Sequence, residues 1–289
     1  MPTPLWLSAL VTFAAPQGAT PATPTTPGNP PGIQGIVWQR TLDDALAAQQ
    51  ASGLPLLIAV NMDGEVFNEA FAREVYRDPA FVETTRGYVC IVASPDRHTE
   101  RDYDADGNRV ECPRFGGCTC GEHIAVEPEL FARYFDGRRN APRHIGVAED
   151  GQVLFDRFLD RSMTTAIEAI RTHRGAPRPD VLGPTDDVAE LFGRRDALAR
   201  TLLERRYRAG DAAERRRLLT AAGGATNRPL DLLRMGLCED DDALCGAAAT
   251  ARAGLGGPGA VLDVEDALAR IDDGAVRGAL IARLRELGR

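Results

Sequence analysis

Residues 54–82 read LPLLIAVNMDGEVFNEAFAREVYRDPAFV. The run from Leu54 to Val60 is apolar without alternation, the pattern of a strand covered on both faces. Helical spacing follows from about Glu65 to Arg77, and Asp78-Pro79 breaks it before a short helix that leads to Gly87. Working outward, GIVWQR (35–40) reads as a short β run. Thr41 then opens a helix as its N-cap, with Asp43 and Asp44 in the first turn. YVCIVA (88–93) is a second covered strand, and HIGVAE with QVLFDRF flank Asp150-Gly151 as a hairpin. A helix over Met163–His173 closes the unit. These elements predict an α/β domain over 36–175, interrupted by an insertion at 95–125.

The element order and the 54–82 motif resemble secreted thioredoxin-like proteins, in which an apolar strand meets W-C-x-x-C and then a helix ending R-E-V-[FY]-x-D-P. Arg73-Glu74-Val75-Tyr76 and Asp78-Pro79 match that ending, and counting back puts the two cysteine positions on Glu65 and Asn68. The resemblance therefore implies the fold without its redox dithiol. It also implies a cis peptide bond at Ala141-Pro142. The likeness covers about half the chain and speaks to fold more than to activity. Asp63 is the expected cap of the helix after the strand, with Glu65 a first-turn acid. The competing reading makes Glu65 an acid/base group with a shifted pKa.

The insertion holds half of the six cysteines in the stretch ECPRFGGCTCGEHI, in the order His98, Cys112, Cys118, Cys120, His123, and the following helix is expected to start near Val126. Thiolate and imidazole suit zinc or copper. Cys112, Cys120 and His123 supply three positions of a tetrahedral site, with His144 or His98 as the fourth. The insert resembles that of a group of bacterial thioredoxin-like proteins with C-x-R-F-G-x3-C-x2-H and a later A-P-x-H. Cys112, Arg114, Phe115, Gly116, Cys120, His123, Ala141, Pro142 and His144 match it, and Cys118 is additional. Two other readings stay open. Cys112 paired with Cys118 or Cys120 would staple the loop as a disulfide. Alternatively, Cys112, Cys118 and Cys120 would form a relocated thiol-disulfide exchange site, with Arg114 lowering a thiol pKa.

Asp102 to Asn108 opens like a calcium loop, but Pro113 stands where the closing Glu belongs, so a polar turn at Asp106-Gly107 is expected. Cys90 reads as core, and His173 as a partner of its helix C-terminus. There is no G-x-S-x-G, H-E-x-x-H, G-x-G-x-x-G or Walker loop, so hydrolase, zincin and nucleotide-cofactor chemistry have no motif behind them.

Beyond a breaker-rich linker at 176–184, residues 185–289 are periodic helices: 186–208, 211–222, 228–236, 241–255, 261–271 and 274–287. They resemble short HEAT-type repeats, which implies a surface for a protein partner. A plain helical bundle is the alternative. Cys238 and Cys245 flank the acidic turn Glu239–Asp242, which caps the next helix, and an oxidising compartment would join them as a disulfide. At the other end, no charged residue precedes Arg40, and Leu5 to Ala15 is an apolar run. Residues 1–20 read as a signal for export, 21–35 as a Pro/Thr-rich linker, and no membrane anchor is expected in the mature chain. The chain of 289 residues carries 34 basic residues, every one Arg, against 42 acidic, for a net charge of −8. That balance argues against nucleic-acid binding, and the missing lysine excludes Schiff-base and P-loop lysine chemistry.

Overall fold

The computed structural model describes residues 35–158 and 162–288. The export signal, and all but the last residue of the Pro/Thr-rich linker, lie outside the described residues. Among those described, no helix is long and apolar enough to cross a membrane.

The chain runs α1 (Leu42–Ser52), β1 (Leu56–Val60), α2 (Val66–Arg73), a 3-10 turn (Val75–Arg77), α3 (Pro79–Thr85), β2 (Val89–Ala93), the insertion, α4 (Cys120–Tyr134), β3 (Arg143–Val147), β4 (Val153–Phe158) and α5 (Thr164–His173). The strands form one mixed sheet in the order β2-β1-β3-β4: β1 and β2 run parallel, and β3 is antiparallel to both β1 and β4. GIVWQR does not become a strand. Only Trp38 makes an isolated bridge to Cys90, because its neighbours turn to meet the helical half described below.

The strand period of two divides the apolar run of β1 between two cores. Leu56, Ile58 and Val60 join Val89, Ile91, Ala93, Ile145 and Val147 under α1 and α4. Leu57 and Ala59 face the other way, onto Phe71, Tyr76, Phe81 and Ile170 of the elements around α2, α3 and α5. All five β1 residues are buried, as the unbroken apolar run requires. The hairpin comes close together at Gly146, where an added Cβ would stand 2.2 Å from the Phe155 ring. The Ala141–Pro142 bond is cis.

Residues 176–184 hold α6 (Pro179–Leu182), pinned by an Arg178 hydrogen bond to the Ser52 carbonyl (3.1 Å). After it come α7 (Val188–Gly193), α8 (Ala197–Ala209), α9 (Ala212–Ala222), α10 (Leu230–Leu237), α11 (Asp242–Leu255), α12 (Ala260–Arg270) and α13 (Gly274–Glu286). The single helix expected over 186–208 is two, broken where Asp196 takes over as N-cap of α8. Central α11 is rich in alanine, which lets α9, α10, α12 and α13 pack closely around it. Asp241 caps it, as the acidic turn implied. The Cys238 and Cys245 thiols are free.

The sheet and the helical array meet through buried charge. The Arg40 guanidinium lies 2.5 Å from Glu204 and 2.6 Å from Asp231. Asp44, also buried, pairs with Arg195 and Arg200, and the Gln39 side chain caps the amide of Ala197. The insertion contributes Tyr103, whose hydroxyl donates to Asp231 at 2.8 Å beneath the Arg234 guanidinium.

Candidate metal centre

Helix α4 begins at Cys120, six residues earlier than its apolar pattern suggested. Thr119 accepts from the Glu122 amide while the Glu122 carboxylate accepts from the Thr119 amide, a capping box that stops the helix at its N-terminus. The early start matters for chemistry. Cys120 and His123 become an i, i+3 pair on one helical face. Thr119 at N-cap and Glu122 three residues on were visible in the sequence as this signal.

The site lies beyond the C-terminal ends of the parallel strands β1 and β2, where loops of an open α/β sheet leave a crevice. Ser94, directly after β2, exchanges backbone contacts with α4: its amide donates to the His123 carbonyl at 3.2 Å. His98 follows on the same loop, and Asp63 reaches in from the loop after β1. Cys112 enters on the far side of the insertion, held by its amide bond to the Cys118 carbonyl (2.7 Å). Glycine at 116 and 117 takes positive φ (64° and 63°), allowing the chain to double back between Cys112 and Cys118.

These constraints bring four donors together. One ligand atom each from His98, Cys112, Cys120 and His123 lies within 4.8 Å of the others. The His98 Nδ1 is 3.3 Å from the Cys112 sulfur and 3.8 Å from the Cys120 sulfur. A tetrahedral zinc with ordinary Zn–S and Zn–N bonds has a sulfur–nitrogen edge of about 3.5 Å, so these separations bracket the required one. Both imidazoles are oriented from behind. His123 Nδ1 lies 3.0 Å from the Ser94 carbonyl oxygen, which can only accept, so Nδ1 carries the proton and Nε2 keeps its lone pair. That Nε2 is buried and has no hydrogen-bond partner among the described residues. His98 Nε2 meets Asp63 Oδ1 at 3.0 Å, leaving Nδ1 for the thiols. Carbonyl and carboxylate partners on the outer ring nitrogens are the usual support of metal-bound histidine.

Of the residues singled out in the sequence, Cys112, Cys120 and His123 converge, and His98 takes the fourth position. His144 does not. It sits on β3 inside the sheet's second core, its Nε2 2.8 Å from the Tyr76 hydroxyl and its ring 4.4 Å from that of Phe71. Strand alternation aims it there, and burial drives its pKa down to about 3. Burial likewise lowers His123 to about 4. The thiols differ. Burial pushes Cys112 up to about 11 against the amides of Phe115 and Arg114. Burial also opposes the Cys120 thiolate, but the Thr99 hydroxyl, the His98 amide and ring, and Cys112 outweigh it and lower the pKa.

Cys118 is not a member of the ligand group. It is 1% exposed, and burial, with Glu122 and Cys112 adding to it, raises its pKa well above the ordinary thiol value. All three insert cysteines are free, so the disulfide readings of the loop do not describe this state.

The other candidates have structural roles. Glu65, not Asp63, is the N-cap of α2, accepting from the amides of Phe67 and Asn68. Asp63 is thereby left for His98 and Arg114. Asp104 accepts from the amides of Asp106 and Asn108 in a polar turn, and Asp102 binds the Gly121 amide and Arg97. Cys90 is core, and His173 donates to the Ala169 carbonyl at the end of α5. Asp63 and Ser94, which back the two imidazoles of the candidate site, were not legible as such in the sequence, since neither has a recognisable spacing to His98 and His123. Compared with known proteins, the chain matches no family model, no curated protein and no solved structure.

Proposed function

We propose that this is an exported, non-catalytic scaffold protein: a thioredoxin-like domain without a dithiol, its insertion held by a structural zinc ion, followed by a HEAT-like helical domain that binds a protein partner. The observation that carries the zinc reading is the convergence of two thiols and two back-supported imidazoles, with His123 Nε2 buried and unpartnered. Four protein ligands close a tetrahedral site and leave no open position for substrate, which favours a structural role and zinc over copper. The insertion also bridges to the helical array through Tyr103 and Asp231, so a metal that orders it supports both halves.

A partner surface is supported by a groove of about 560 Å³ between α9, α11 and α13. Its floor is small residues such as Gly246, Ala247 and Thr250, and among the described residues its charged lining is Arg216 and Arg283, on α9 and α13 to either side. An acidic helix fits that floor and those charges in a chain that is otherwise net negative. The thiol-disulfide oxidoreductase alternative is weakened by access: Cys118 is 1% exposed, out of reach of a second protein's disulfide, and Cys112 and Cys120 belong to the ligand group.

The test is metal analysis of the full chain purified without chelator, with a free-thiol count after denaturation. One zinc per chain and thiols protected until a chelator is added are expected. A metal-free chain with its insert cysteines in disulfides would refute the reading.

A further inference from the structure

The insertion carries one more thiol than a tetrahedral site uses. Cys112 and Cys120 face His98 Nδ1, whereas Cys118 stands outside the ligand group, buried in the same apolar cluster as both. Its backbone is locked to that of Cys112: the Cys112 amide donates to the Cys118 carbonyl at 2.7 Å, and the Cys112 carbonyl accepts from Gly116. That bond, closing the tight turn through Gly116 and Gly117, holds the two cysteines side by side in the same apolar cluster. Cys120, whose sulfur also lies near that of Cys112 within the ligand group, is fixed at the first turn of α4.

Resting on the zinc reading above, we propose that Cys118 makes the site an oxidation-sensitive switch, in which a peroxide drives a Cys112–Cys118 disulfide and expels the metal. In the zinc-loaded chain Cys112 is held as the thiolate by the metal, and it attacks one peroxide oxygen, breaking the O–O bond; hydroxide leaves and Cys112 becomes a sulfenic acid. The Cys118 sulfur then displaces that oxygen, whose departure with the Cys118 proton gives water and closes the S–S bond. Two electrons pass from the two sulfurs to the peroxide. Cys112 is then no longer a thiolate donor, and three ligands remain where zinc needs four. Peroxide is small enough to enter past His98, the only ligand whose side chain is not buried, at 12% exposed. The consequence extends beyond the loop. The segment between His98 and Cys112 carries Tyr103 onto Asp231 and Gly107 against the Arg234 carbonyl of α10, so metal loss releases one end of the contact between sheet and helices.

The experiment uses the zinc-loaded full chain, titrated with hydrogen peroxide beside a chromogenic zinc indicator, with the disulfide mapped by tandem mass spectrometry. Wild type is expected to release one zinc per chain as a Cys112–Cys118 disulfide appears, and to rebind it after a thiol reductant is added with zinc. Cys118→Ser is expected to bind zinc like wild type and to release it at least tenfold more slowly at the same peroxide concentration. Cys118→Ala should do the same, which covers any packing defect of the serine. Equal release rates in wild type and both variants, or zinc loss through a different disulfide, would overturn the switch while leaving the zinc site intact. A chain that holds no zinc before peroxide is added would overturn the site itself.

Discussion

The His123 ring is 3.0 Å from the Ser94 carbonyl through Nδ1, and this one bond decides which nitrogen faces the Cys112 and Cys120 sulfurs. The Ser94 carbonyl is positioned by β2, so the direction of this candidate donor is set by the sheet and not by the loop that bears the cysteines.

Substitution should separate the two histidines that sequence reasoning could not. His98→Ala or His123→Ala is expected to bring zinc content of the purified chain well below one per molecule, while His144→Ala, which alters a core contact with Tyr76, keeps it. Zinc retained by His98→Ala and lost by His144→Ala would reverse the ligand assignment.

Asp63→Asn keeps the shape behind His98 but removes the carboxylate that meets its Nε2. Loss of such a partner weakens metal binding about 10- to 100-fold. Competition against a chelator of known affinity measures it, and an unchanged affinity would show that Asp63 serves only the Arg114 ion pair.

Chelation should lower stability without abolishing the fold, because the two cores of the sheet are built without the insert's ligands on one face. With free zinc at 1,000 times its dissociation constant, metal binding adds about 4 kcal/mol. Thermal melting with and without chelator reports this as a shift of several degrees, and an identical midpoint would exclude a stabilising role.

Acid should destabilise the fold through His144. Its folded-state pKa, about 3 because of burial, lies below the unfolded value. As pH falls below about 6.5 the unfolded chain takes up a proton that the folded chain refuses. The stabilisation is therefore complete above about pH 6.5 and is lost progressively down to about pH 3, by up to about 1.4 kcal/mol per pH unit. His144→Asn should flatten that slope in urea titrations run between pH 7 and pH 5. An unchanged slope would mean the titration belongs to other groups.

Arg40 joins the two halves by charge rather than by apolar area. Its guanidinium is buried between Glu204 and Asp231, and Arg40→Met leaves both carboxylates without their shared partner. Removing one side of a buried pair costs about 3–5 kcal/mol. The loss should show in denaturant midpoint, and the double variant Arg40→Met with Glu204→Gln should recover part of it.

Much of the architecture was present in local patterns, because those patterns act over a few residues. The unbroken apolar run of β1 needed two covered faces, Thr41 and Asp241 needed helices to cap, and Asp150-Gly151 needed a turn; each element appears. The thiol and imidazole types in the insertion likewise pointed to a candidate metal or redox site, and three of the four converging donors, Cys112, Cys120 and His123, stood out in the loop itself. The fourth did not, since His98 and His144 are equally good donors on paper. What separates them is the alternation of β3, which turns His144 into the core, and the reach of Asp63 and Ser94 from the ends of β1 and β2, which turns the rings of His98 and His123 toward the sulfurs. Burial of Arg40 against Glu204 and Asp231 was equally invisible, because the partners are more than 160 residues away. Residue chemistry is written in the chain, but which donors share one small volume is decided by strand register and helix start. Those are outcomes of packing the whole sheet, and no local stretch contains them.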